Sequence, residues 1–125
     1  MEDILSQVYD PEAFREAGHR LIDALADHLS NIQSGHVEQA IAWRQPGEAL
    51  ERWQFDPAAP GGDAVDLLQE ILTESVQLHH PRYMGHQISP PAPVAALAGF
   101  LGDFLNKGMG VYEMGIPGTA MEVNV

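Results

Sequence analysis

Residues 93–107, PVAALAGFLGDFLNK, restrict the chain more than any other stretch. Val94, Leu97, Phe100, Leu101, Phe104 and Leu105 recur at helical spacing, and Pro93 suits a first helical position. Gly108 follows the predicted end, with Lys107 in the last turn, where the helix dipole favours a cation. Asp103 stands nearly alone as a polar residue, so this helix has almost no solvated face. A helix apolar on most sides has to be covered. The rest of a 125-residue chain is too small to surround it, so the sequence predicts a partner or a further portion of polypeptide. Soluble monomers rarely tolerate apolar patches beyond a few hundred Å², and two copies meeting about a two-fold axis is the commonest closed arrangement. A homodimer is therefore expected. The net charge of −12 opposes pairing, but physiological salt screens it beyond ~8 Å.

Elsewhere the pattern is also helical. In residues 10–35, Asp10 can cap, Pro11 fits the first turn and Ser34-Gly35 provides a stop. Phe14, Ala17, Leu21, Ile22, Leu25, Leu29 and Ile32 fall on one stripe, while Arg15, Glu16, Arg20, Asp23 and Asp27 lie off it. GEALERWQF predicts a short helix anchored by Leu50, Trp53 and Phe55. DPAAPGGD, residues 56–63, is a loop by its Pro and Gly content. Val65, Leu68, Ile71, Leu72 and Val76 restore helical spacing until Pro81, whose preceding residue avoids the α region. The expected helices are 10–34, 46–54, 63–79 and 92–107, with a short one near the C-terminus. No strand alternation persists, so the expected class is all-α.

Charge narrows the function. Eighteen acidic residues face five arginines and one lysine, a balance that repels phosphate backbones and anionic lipid; nucleic-acid and membrane-surface partners are not expected. With no cysteine there is no disulfide framework or thiolate metal site. The acidic start MEDILSQVYD lacks the apolar core of a signal peptide, and no apolar run approaches the ~20 residues of a membrane span. A cytoplasmic protein is the plain reading.

Motifs for chemistry are few. His79, His80 and His86 with Glu113 can be drawn as a metal cluster, yet adjacent histidines point apart and no HExxH spacing occurs. His19 and His28, nine residues apart, match no ligand spacing and read as solvated helix histidines. Glu48 and Glu51 read as solvated carboxylates. A GxSxG elbow and the P-loop and Rossmann glycine patterns are absent. No catalytic or metal-binding residue is expected. One segment stands apart: HHPRYMGHQISPPAP, residues 79–93, is stiff with four prolines yet polar, between two helical runs.

Three pieces, in order, resemble the N-terminal region of the pyridoxal-phosphate-dependent group II amino-acid decarboxylases, which include glutamate, aromatic amino-acid, histidine and diaminobutyrate decarboxylases. HPRYMGHQIS (80–89) is similar to the family's His-Pro-Arg/Tyr-aromatic segment. FLNKGMGVYEMG (104–115) is similar to its Asn-rich turn followed by a Tyr-Glu or Trp-Ala pair. GTAME (118–122) resembles the start of the next helix. The resemblance implies the N-terminal helical region of a fold-type I decarboxylase and an intertwined homodimer. Residues 1–85 would then form a helical dimerisation region, and 86–125 a substrate-gate loop with the first helix of the cofactor-binding domain.

The same resemblance implies that His86, Gln87 and Ser89 touch the substrate side chain or carboxylate. Gln87 and Ser89 offer neutral donors and acceptors, and the prolines lower the entropic cost of binding. Read on their own residues, His86 and Gln87 are a solvated loop and Ser89 a turn or cap residue ahead of Pro90. Gly108 and Gly110 stand where aromatic decarboxylases place bulky residues against the substrate ring across the dimer interface; small residues open that wall. With Gln87-Ile88-Ser89, they lead us to expect a flexible or acidic amino acid rather than an aromatic one.

The family uses pyridoxal phosphate, which needs a Schiff-base lysine, a stacking residue, an aspartate on the pyridine nitrogen and a phosphate cup. In the family these lie beyond the region resembled here. Lys107, the only lysine, aligns with no cofactor lysine, so no cofactor is expected on this chain. MEVNV departs from the family pattern, which leads us to expect a shortened reading frame. Two functions stay open: the dimerisation and entrance region of an L-amino-acid decarboxylase, inactive alone, or a stand-alone helical interaction module without catalysis.

Overall fold

A computed structural model describes residues 4–54, 62–85, 87–106, 108 and 110–125. These form six α-helices, α1 (Ile4–Val8), α2 (Pro11–Gln33), α3 (Pro46–Arg52), α4 (Ala64–Glu74), α5 (Pro93–Leu105) and α6 (Ile116–Asn124), with a 3₁₀ turn at Tyr112–Met114. No strand occurs among the described residues, so the fold is all-α. The chain divides into two compact units, Met1–Ile88 and Ser89–Val125. Phe55, most of the 56–63 loop, His86 and Lys107 lie outside the described residues.

In the first unit, α2 begins and ends as its sequence dictates. The Asp10 side chain accepts the Glu12 N–H at 3.1 Å, Pro11 opens the helix, and Gly35 takes the positive φ (+79°) that other residues avoid. Helix α2 packs on α4. The packed stripe is rotated from the expected one. Ala17, Leu21, Ala24, His28, Leu29 and Ile32 are half- or fully buried, whereas Phe14, Ile22 and Leu25 are exposed. His28 is therefore not the solvated histidine expected; it lies on the α4 side.

Arginine–carboxylate pairs join the elements of this unit. Arg20 reaches Asp63 at 2.6 Å and Asp66 at 2.7 Å, across from α2 to the start of α4. Asp63 also caps α4 by accepting the Val65 N–H at 2.7 Å. The hydrogen bond from Arg20, and then that from Val65, hold the Asp63 carboxyl below its ordinary value. Arg52 on α3 pairs with Glu70 at 2.8 Å and Glu74 at 3.1 Å, and Arg44 with Glu74 at 3.3 Å. Leu50 is exposed rather than an anchor, because α3 is held to α4 through these charges.

Helix α4 stops at Glu74, well before Pro81, where the sequence placed its end. Side chains take over the terminal carbonyls that would otherwise extend it. Ser75 Oγ donates to Ile71 O at 2.6 Å, and Gln77 Nε2 donates to Leu72 O at 3.1 Å and Ser75 O at 2.7 Å.

In the second unit α5 covers the predicted stretch but ends on Asn106. That residue adopts the left-handed conformation (φ 42°) and returns its N–H to Gly102 O and Asp103 O. Its apolar side chains Val94, Leu97, Phe100, Leu101, Phe104 and Leu105 are 48–73% exposed. Helix α6 runs through MEVN to Asn124 despite its departure from the family pattern, with Pro117 in its first turn. No helix among the described residues is long and apolar enough to cross a membrane.

Candidate functional site

The segment linking α4 to α5 is built on hydrogen bonds rather than on apolar packing. After Ser75 the backbone makes two successive turns, His80 N–H to Gln77 O at 3.0 Å and Tyr83 N–H to His80 O at 2.9 Å. These hold Pro81, which cannot donate, at a bend where donation is not needed. The Gln77 N–H donates to Ala40 O at 2.8 Å. Gln77 Oε1 accepts from His28 Nε2, which ties the segment to α2. His80 contacts Val37 O through Nε2 at 2.8 Å, and the Arg82 guanidinium donates to Glu38 O. Residues 37–40 thus receive three donors from residues 77–82.

Of the predicted entrance residues, His86 lies outside the described residues. Gln87 is exposed and left-handed, with φ +63°. A left-handed conformation costs a non-glycine residue roughly 1 kcal/mol, so Gln87 is held there by the chain around it. Ser89 is exposed and opens the second unit. It does not cap α5, whose N-cap is Ala92. Gln87 belongs to the first unit, so the two residues lie in different units.

Gly108 and Gly110 are also exposed, and neither is glycine for want of space. A Cβ on Gly110 would meet nothing within 4 Å, and one on Gly108 only Met114 Cε, at 4.0 Å. Larger residues would fit at both places. Among the described residues no group of three metal-binding side chains converges. A shallow concavity on α6, between Gly118, Met121, Glu122 and Val125, involves none of the predicted site residues.

Gln77, His80 and Arg82 carry the architecture of this region, and the sequence reading assigned none of them a structural part. The signal was present: two polar residues of hydrogen-bonding type, three apart and just ahead of a proline, following an amphipathic helix. Only the partner carbonyls of residues 37–40, some forty positions away, are invisible from sequence.

Relatives agree with the motifs. The chain is similar to tyrosine/DOPA decarboxylase 2 of Papaver somniferum, 32% identical over 107 residues, covering 82% of this chain and 19% of that protein. It is likewise similar to a tyrosine decarboxylase of the same plant (28% over 106 residues, 82% and 19%) and to tryptophan decarboxylase 2 of Oryza sativa subsp. japonica (30% over 107 residues, 82% and 20%). The chain spans about a fifth of the length of the curated relatives it matches. No protein-family description matches it, and no solved structure does. Over four-fifths of its length the chain is a homologue of the plant aromatic amino-acid decarboxylases, and so of the group II pyridoxal-phosphate-dependent decarboxylases whose N-terminal region its motifs resemble.

Proposed function

We propose that this chain is the N-terminal portion of a pyridoxal-phosphate-dependent L-amino-acid decarboxylase, a carboxy-lyase of the cytoplasm. It contributes dimerisation through its helices and substrate contacts through residues 86–125, and it is inactive alone. The observation that carries the reading is the homology across 82% of the chain to enzymes named as decarboxylases. The exposed apolar side chains of α5 support a covering partner, and a second copy supplies the same surface.

The family's cofactor does not fit the residues present. The sequence holds one lysine, Lys107, which aligns with no cofactor lysine of the family. No step of the decarboxylation is assigned to these residues. Their part is to assemble the dimer and to shape the way in, with His86, Gln87 and Ser89 facing the substrate and Gly108 and Gly110 forming an open wall across the interface.

For the substrate, the names of the relatives outweigh the earlier expectation of a flexible or acidic amino acid. They are named for tyrosine, DOPA and tryptophan, and we take an aromatic L-amino acid as the substrate class. An open wall at Gly108 and Gly110 admits a ring as readily as a chain. The test replaces the homologous segment of a plant tyrosine/DOPA decarboxylase with this chain and measures CO₂ release from tyrosine, tryptophan and glutamate. The chimaera should be active, with kcat/KM about tenfold or more in favour of an aromatic substrate, about 1.4 kcal/mol, while the chain alone releases none. A folded chimaera without activity would overturn the proposal, and a preference for glutamate would overturn the substrate class.

A further inference from the structure

Among the described residues, the buried side chains include as many polar as apolar ones: Gln77 (6% exposed) and His80 (5%) stand beside Ile32 and Val65. Burying a polar group is costly unless it is hydrogen-bonded, and every buried polar atom here has a partner. Both polar residues sit within one turn of each other, directly before the segment proposed as the entrance.

The bonds of His80 dictate its state. Val37 O can only accept, so His80 Nε2 carries the hydrogen at that 2.8 Å contact. The Arg82 N–H can only donate, so Nδ1, 3.0 Å away, is bare. The ring is the neutral Nε2–H tautomer, with both nitrogens used. One nitrogen grips residue 37 and the other grips the backbone two residues downstream, beyond Pro81. On either side, Gln77 N–H to Ala40 O and Arg82 to Glu38 O repeat the same attachment.

We propose that His80 is a positioning residue, a neutral Nε2–H imidazole that clasps residues 77–82 to residues 37–40 and so sets the course of the chain into Gln87. What the clasp serves rests on the decarboxylase reading; its existence does not. The left-handed Gln87 agrees with it, because an unfavourable backbone conformation persists only where neighbouring structure imposes it.

The clasp is tested on the full chain by long-range ¹H–¹⁵N correlation of the imidazole near neutral pH, and by amide exchange in H80A, H80N and H80Q. The asparagine oxygen replaces Nδ1 and the glutamine nitrogen replaces Nε2. We expect the Nε2–H pattern in the wild type. Exchange at Arg82 N–H should quicken about tenfold in H80A and H80Q, the factor set by one hydrogen bond of ordinary strength, and stay near wild type in H80N, with α2 amides unchanged. An Nδ1–H or doubly protonated ring, or equal loss at Arg82 in H80N and H80A, overturns the clasp. Should H80A not fold, the wild-type tautomer and the H80N–H80Q pair decide.

In the chimaeric decarboxylase, H80A should raise KM about tenfold with kcat little changed, and H80Q, which keeps the donor to Val37 O, should restore most of it. An unchanged KM overturns the positioning role. A chimaera inactive with the wild-type segment overturns the decarboxylase reading instead, while the tautomer and exchange results still stand for or against the clasp.

Discussion

Helix α2 carries six Asp, Glu and Arg residues over its 23 positions, whereas α5 carries only Asp103 over 13. Yet α2 packs on α4 and buries Ile32, whereas α5, among the described residues, has no buried side chain and its apolar ones are 48–73% exposed. The α2–α4 pair is held by a thin core of Ile32 and Val65, supplemented by arginine–carboxylate pairs and by the Gln77–His80 bonds. Helix α5 has no buried residue among those described. The lesson is that packing within a unit does not follow from how apolar a helix is overall.

Four measurements break or sharpen this contrast, beginning with the largest effect. Ile32→Ala removes the most buried apolar side chain of the first unit and should cost about 2–5 kcal/mol in chemical denaturation. The matching change Leu101→Ala should leave the unfolding of the first unit unchanged. Equal losses from the two would erase the distinction between the helices.

Next comes association. Sedimentation equilibrium at micromolar concentration should give a dimer, and Leu97→Asp with Leu101→Asp should weaken it by about a hundredfold or more, since each half-exposed leucine contributes on the order of 1 kcal/mol when covered and a carboxylate must be desolvated besides. A concentration-independent monomer mass for the unsubstituted chain would defeat the idea that a second copy covers α5.

Gln77→Ala leaves the carbonyls at the end of α4 and the His28 ring without a buried partner. About 1–3 kcal/mol of stability should be lost, the range for orphaning buried polar groups. A neutral outcome would mean that water substitutes fully and that the polar attachment of this segment is dispensable.

The smallest effect is electrostatic. Because the folded Asp63 carboxyl titrates below its ordinary value, its contribution is complete above the unfolded carboxylate range, near pH 4. It is lost as pH falls towards the folded value. Asp63→Asn keeps an N-capping side chain but gives up the charge pair with Arg20. It should therefore flatten the acid limb of the stability profile and reduce its salt dependence, with little change in α4 helicity. An unchanged acid limb would show that the Arg20 pair adds nothing measurable.

Much of the fold was legible because caps and periodicity are local. Asp10, Pro11 and Gly35 mark the ends of α2, and Pro93 the start of α5, by backbone chemistry alone. Helix α1 was not anticipated, being five residues with no cap to announce it. The rotation of the α2 stripe was hidden for a different reason. Ala24 and His28 are poor hydrophobes, and their burial depends on where α4 lies. The end of α4 was missed because Gln77 stops it with a side chain, which competes with the backbone in a way no propensity describes. As for the site, the segment 79–93 stood out through its prolines and histidines. Its attachment to residues 37–40 did not, since hydrogen bonds between segments so far apart leave no periodic trace.

The Arg52 guanidinium, drawn out by Glu70 and Glu74, lies 5.1 Å from the centre of the Trp53 ring. The molecule thereby carries its own optical gauge. Of its two tryptophans, Trp43 is 76% exposed and Trp53 is 38% exposed beneath that cation, so Trp43 supplies a nearly solvent-like reference emission and Trp53 a signal that depends on α3 staying on α4. Replacing Trp43 by phenylalanine would leave a single indole whose red shift and quenching report the parting of that joint before the rest of the chain unfolds.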